Sequence, residues 1–155
     1  MELGNFDAED RVLILYTDGS YEITDQELTQ RFNPEEVMLV EKFDAERIIT
    51  AVYLDSEKLQ YNVKRFRIET TTLRSKFLFI KEGKNNILEA VSTEEEPILV
   101  VNSGKGQQVR KAKFKVAKMV EVMGWKAVGA KLVDYNKSIM MEWERKEEGK
   151  QSELF

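Results

Sequence analysis

Apolar and polar positions alternate over short stretches, each closed by turn-forming residues, and this period of two predicts strands rather than helices. Arg11 to Tyr16, then Thr17-Asp18-Gly19-Ser20, then Tyr21 to Thr24 predicts a hairpin, because Asp-Gly supplies the positive φ values a tight turn requires. Further strands are predicted at Val37–Phe43, Arg47–Leu54, Gln60–Glu69, Lys76–Ile80, Ile87–Ser92, Ile98–Asn102, Gln107–Val116, Ala130–Tyr135 and Ile139–Glu144. Their spacing and their β-branched and aromatic content favour antiparallel sheets over βαβ units. Helix signals are few. Asp25–Arg31 has room for a turn or two before Asn33-Pro34, and Ala117–Met123 fits either type of element.

A repeat underlies the strands. Val12-Leu13-Ile14-Leu15-Tyr16-Thr17-Asp18-Gly19 is echoed about 86 residues later by Ile98-Leu99-Val100-Val101-Asn102-Ser103-Gly104-Lys105-Gly106. Each copy is an apolar strand, a polar pair and a glycine turn leading into a second strand. That period accommodates two four-stranded, blade-like units. The expected organisation is a polar segment at 1–9, a β domain at 10–144 with units near 10–75 and 76–144, and a charged tail at 145–155.

Composition narrows the chemistry. The chain has 155 residues, enough for one domain with a sizeable core, and contains neither Cys nor His. Disulfides, thiolate nucleophiles, Cys/His zinc sites and the usual neutral-pH general base are thereby excluded, and no cofactor is implied. Apolar runs are far shorter than the roughly 20 residues of a membrane span, so no membrane association and a cytoplasmic location are expected. The acidic groups Asp7/Glu9/Asp10, Glu35-Glu36 and Glu94-Glu95-Glu96 lack calcium-loop spacing and read as solvated loops.

Charge is segregated beneath a net value of −4: residues 1–60 carry 5 basic and 15 acidic groups, whereas residues 101–131 carry 8 and 1. Screening acts over about 8 Å at physiological salt, so a polyanion on the basic segment is little affected by a remote acidic half. Within Val109–Val116, strand alternation puts Lys111, Lys113 and Lys115 on one face and Ala112, Phe114 and Val116 on the other. Such a row suits a phosphate backbone; the competing reading is a solvated face or a lysine-protected edge. Lys64-Arg65-Phe66-Arg67 is a second candidate, with ordinary surface ion pairs as the alternative. The segment Met123 to Lys131 is a glycine-bounded turn with one aromatic, Trp125, and two lysines. It matches neither the P-loop nor the dinucleotide fingerprint.

Val12–Thr24, Ile98–Phe114 and Val120–Leu132, taken in order, resemble the C-terminal region of bacterial type IIA topoisomerase A subunits, of the gyrase and topoisomerase IV kind. Val52–Thr70 and the closing Ser152-Glu153-Leu154-Phe155 look most like the topoisomerase IV member. The resemblance implies an all-β, partial β-pinwheel, propeller-like, of about two antiparallel four-stranded blades. Where gyrase carries Gln-Arg-Arg-Gly-Gly-Lys-Gly, this chain reads Met123-Gly124-Trp125-Lys126-Ala127-Val128-Gly129, keeping the last glycine. The implied role is therefore engagement of the transported DNA segment rather than chiral wrapping.

By that resemblance the domain is not an enzyme, since the DNA-cleaving tyrosine belongs to an upstream domain. The resemblance implies a DNA-binding accessory domain whose partners are duplex DNA, the remainder of the A subunit and the ATPase B subunit. Phosphate contacts are expected from Lys64, Arg65, Arg67, Lys105, Arg110, Lys111, Lys113, Lys115, Lys118, Lys126 and Lys131. The alternative is a protein-interaction module docking another subunit through the acidic first half, with Glu35, Glu36 and Glu41 at the contact.

Overall fold

A computed structural model describes residues 11–25, 33–69, 71–104 and 108–145. The fold is all-β. Among the described residues twelve strands form three sheets, with one short α-helix, α1 (Val116–Met119), and a 3-10 turn at Pro34–Glu36. The first sheet has the order β3-β1-β2-β6, from β1 (Val12–Tyr16), β2 (Ser20–Thr24), β3 (Val37–Lys42) and β6 (Lys76–Leu78). In the second, β4 (Ile49–Asp55) and β5 (Gln60–Phe66) form the centre, flanked on the β4 side by β7 (Ile87–Ser92). The outer edge of β5 carries β10 (Val122–Met123) in parallel and β11 (Ala130–Asp134) antiparallel. The third sheet has the order β12-β8-β9, from β8 (Ile98–Ser103), β9 (Arg110–Lys115) and β12 (Met140–Trp143).

The predicted strands all form, with ends shifted by a few residues. Ala117–Met123, open between helix and strand, divides into most of α1 and the strand β10. The possible turn at Asp25–Arg31 lies almost wholly outside the described residues. In the first hairpin, positive φ is confined to Gly19, at 86°, and the Asp18 carboxylate accepts the Ser20 N–H at 3.0 Å. A Cβ on Gly19 would sit 2.4 Å from the Ile80 side chain, so backbone and packing both demand glycine there.

The sheets share one plan. Each is built on a hairpin, β1–β2, β4–β5 or β8–β9, whose first strand gains an antiparallel neighbour, β3, β7 or β12. The repeated segments of the sequence are the first and third of these hairpins. Strand membership crosses residue 75: β6 completes the first sheet and β7 the second, although both lie beyond that position.

The second sheet is covered on both faces. Ile49, Ala51 and Tyr53 of β4 pack with Leu13, Leu15, Tyr21 and Ile23 of the first sheet, whereas Val52, Tyr61 and Val63 pack with Leu99 and Val101 of the third. Alternation along β4 sends successive side chains to opposite cores. Fully burying an aliphatic or aromatic side chain is worth roughly 1.5–3 kcal/mol, and Tyr53, Phe66, Ile49 and Val52 are all completely buried.

Candidate nucleic-acid interface

The β9 strand sets the site's geometry. Lys111, Lys113 and Lys115 lie across from Asn102, Val100 and Ile98 of β8, so they share a face, and all three are exposed. On the opposite face Phe114 packs into the core between the second and third sheets. The same alternation that buries Phe114 therefore displays the lysines. Glu144 donates its backbone N–H to the Ile98 carbonyl at 2.8 Å, which brings its carboxylate to 2.5 Å from Lys113 Nζ.

Beyond Lys115 the chain turns into α1, anchored by the fully buried Val116. Lys118, exposed on α1, lines a small groove of about 260 Å³ together with Lys115, Glu96 and Ile98. Ala117 and Lys118 also border a larger groove of about 690 Å³, whose apolar wall includes Met119, Met123 and Val128. The cations of β9 are thus continuous with α1 and with an open apolar groove beside it.

A family model described as "Topoisomerase C-terminal domain, Bacteroidota" matches residues 1–142. The chain belongs to that family. A search of curated proteins finds no match.

In this topoisomerase C-terminal domain the other basic residues of the predicted interface are placed less uniformly. Arg110 is exposed and, with Lys111, borders a groove of about 520 Å³ between β9 and the segment joining β11 to β12. Lys126 is exposed, its ammonium 5.3 Å from the centre of the Trp125 ring. Trp125 itself is buried, edge-on to Tyr21 at 5.7 Å and Phe77 at 5.9 Å, so it is a core residue rather than a stacking platform. Lys131 is exposed but ion-paired with Asp134 at 2.6 Å. Lys105 lies outside the described residues.

The segment on β5 requires a correction. Lys64 is 1% exposed, and its ammonium donates to the carbonyl of Trp125 at 2.7 Å and to that of Phe79. Burial pushes its pKa down to about 8. Arg65 is 6% exposed and donates to Thr50 Oγ1 at 3.3 Å and to the Glu95 carbonyl at 3.2 Å. Burial and then the neighbouring Arg67 lower its pKa. Neither side chain stands free to meet phosphate, because β5 runs through the sheet covered on both faces. Arg67 alone of this group is exposed; its Nε donates to the Glu46 carbonyl at 3.1 Å.

Three features escape a reading of charge pattern. Glu144 and Asp134 partner lysines of the basic segment from beyond its end, and chain order gives no sign of those pairings. The apolar groove exposes Met119, Met123 and Val128 by 48%, 55% and 49%. Its only sequence trace is the dual character of Ala117–Met123.

Proposed function

We propose that this topoisomerase C-terminal domain is a non-catalytic accessory domain that binds and positions duplex DNA for strand passage. The proposal extends to its setting: the A subunit of a type IIA enzyme of the topoisomerase IV kind, working in the cytoplasm with the rest of that subunit and the ATPase B subunit. The observation that carries the reading is the exposed row Lys111, Lys113 and Lys115, continued by Lys118 on α1. Duplex DNA presents one negative charge per roughly 1.7 Å of axis, and lysines spaced about 6.7 Å apart along one face can meet successive phosphates without reading bases. Family membership supports the coarser part of this reading, an accessory domain of a topoisomerase.

The acidic first half offers a weaker docking surface than its charge count suggests. Glu41 is held by Arg47 at 2.6 Å and by the Thr93 hydroxyl at 2.7 Å, leaving Glu35 and Glu36 exposed at the 3-10 turn before β3.

The test is titration of the purified domain with a short duplex of mixed sequence. Changing Lys111, Lys113 and Lys115 together to Glu abolishes binding while the thermal transition persists. Unchanged affinity in that folded variant would falsify the assignment of this face.

A further inference from the structure

The first two sheets each carry, on the second strand of the hairpin, an added strand that the third lacks. In the first sheet β6 adds antiparallel to the outer edge of β2, and in the second β11 adds antiparallel to the outer edge of β5. Both donated strands come from the connection following the next hairpin, β6 after β4–β5 and β11 after β8–β9. Among the described residues, no strand adds to the outer edge of β9, the corresponding strand of the third sheet.

Burial follows this difference. Four of five residues of β2 and six of seven of β5 are buried, whereas five of six in β9 are exposed. The exposed residues include Ala112, on the same side of the strand as the core residue Phe114. Alongside runs the 520 Å³ groove between β9 and the segment after β11. A backbone edge without a paired strand among the described residues, an uncovered apolar side chain and an adjoining groove are what a sheet presents where a further strand can add.

We infer that the outer edge of β9 accepts an extended, acidic strand of another protein chain, added antiparallel as the fourth strand of the third sheet. The antiparallel sense follows from β6 and β11, the longer strands added at those edges; the parallel β10 on β5 spans two residues. The chemistry follows from the face: Lys111, Lys113 and Lys115 favour a partner with acidic side chains at alternate positions, and Ala112 favours apolar ones between them. A second copy's β9 is a poor occupant, because antiparallel self-pairing sets lysine against lysine at adjacent cross-strand positions. The strand would share these lysines with the proposed DNA face, and the backbone readouts below, exchange protection and N-methylation, separate the two.

The test uses the full chain and a labelled peptide, Glu-Val-Glu-Val-Glu-Val-Glu, followed by fluorescence anisotropy and amide hydrogen exchange. The expected result is saturable binding, slowed exchange at amides within 110–115, and at least tenfold weaker binding of a peptide with the four Glu and three Val in two blocks. In an added strand the Glu and Val N–H groups point to opposite edges, so N-methylating one set abolishes binding and the other set does not. The Lys111→Glu, Lys113→Glu, Lys115→Glu variant loses this peptide and gains Lys-Val-Lys-Val-Lys-Val-Lys, which also shows that it is folded. Several outcomes overturn the inference: no saturation at millimolar peptide, equal binding of the block peptide, tolerance of both N-methylated series, or no protection within 110–115. So do a self-association through β9 seen by sedimentation, and a tenfold gain in peptide affinity on removing 146–155, which would make that segment the occupant.

Discussion

Lys64 Nζ donates to the carbonyl of Trp125 at 2.7 Å, tying the middle of β5 to the turn that precedes β11. The same ammonium donates to the Phe79 carbonyl and sits 5.0 and 5.9 Å from the ring centres of Phe66 and Phe79. One cation thus closes contacts 15 and 61 residues away along the chain. Its partners are backbone carbonyls and ring faces rather than a carboxylate, so the site holds a buried amine without a counter-charge among the described residues. This is a structural clamp.

Replacing Lys64 with Met keeps the volume and removes the donor, leaving two buried carbonyls without it. An unsatisfied buried acceptor costs about 1–3 kcal/mol, and eliminating a desolvated amine recovers part of that. The expected net loss is about 1–3 kcal/mol, a fall in Tm of roughly 3–10 °C for a domain of this size. Calorimetry of Lys64→Met checks it; an unchanged or raised Tm would show that the clamp adds no stability.

The same clamp predicts a pH dependence. In the folded domain Lys64 titrates at about 8, against an ordinary 10.5. Between those values the unfolded chain holds a proton that the folded one has released, so the contribution of Lys64 to stability rises as pH increases from about 8 to 10.5. Below about 8 the contribution is flat. Urea midpoints of the wild type and Lys64→Met, compared at pH 7 and pH 10, isolate this residue from the other lysines and tyrosines. The wild type gains on the variant at the higher pH; a constant difference refutes the depressed value.

Gly129 carries a third prediction. Its φ is 94°, and a Cβ there would lie 2.5 Å from the Val63 carbonyl oxygen and 2.9 Å from Lys64 Cβ. Ala at this position must strain the backbone and push β11 off β5, next to the pair Ala130 and Val63. The expected cost of Gly129→Ala is about 2–4 kcal/mol, above the ordinary penalty for filling an unstrained glycine site. Thermal unfolding at neutral pH reads it directly, and a loss below about 0.5 kcal/mol would mean that the loop can move aside freely.

Sequence pattern made the first hairpin, its echo near residue 98 and the β9 lysine face legible, because each depends on residues a few positions apart: Asp18-Gly19 on a turn, Lys111, Lys113 and Lys115 on alternation. It did not make the three-sheet plan legible. β6 pairs with β2 and β11 with β5 across more than fifty residues, and nothing local in Lys76-Phe77-Leu78 or Ala130–Asp134 names the acceptor. Lys64 misleads for the same reason. It alternates with Val63 and Arg65 as a surface residue might, but β5 is covered on both sides, and Lys64 shares its face with Asn62 and Phe66, beneath Phe79 and Trp125. Charge pattern reports the face a side chain takes, not what lies over that face.

The ion pair between Lys113 and Glu144 makes the DNA reading quantitative. If about four phosphates are neutralised, log K falls against log salt with a slope near −3.6, a loss of roughly two decades between 50 and 200 mM. On that reading Glu144, 2.5 Å from Lys113, competes with phosphate for it and adds a negative charge beside it. Glu144→Gln removes both effects, so affinity for the duplex rises by about two- to fivefold at 100 mM salt, in keeping with a surface pair worth up to about 1 kcal/mol. Once Lys113 is free to contact a phosphate of its own, the slope steepens by about 0.9. Lys113→Ala then weakens binding more in the Glu144→Gln background than in the wild type, because only there is the lysine fully available. Equal losses in the two backgrounds, with an unchanged slope, would mean that Glu144 does not compete for Lys113, and no loss in either would leave the contact to Lys111, Lys115 and Lys118.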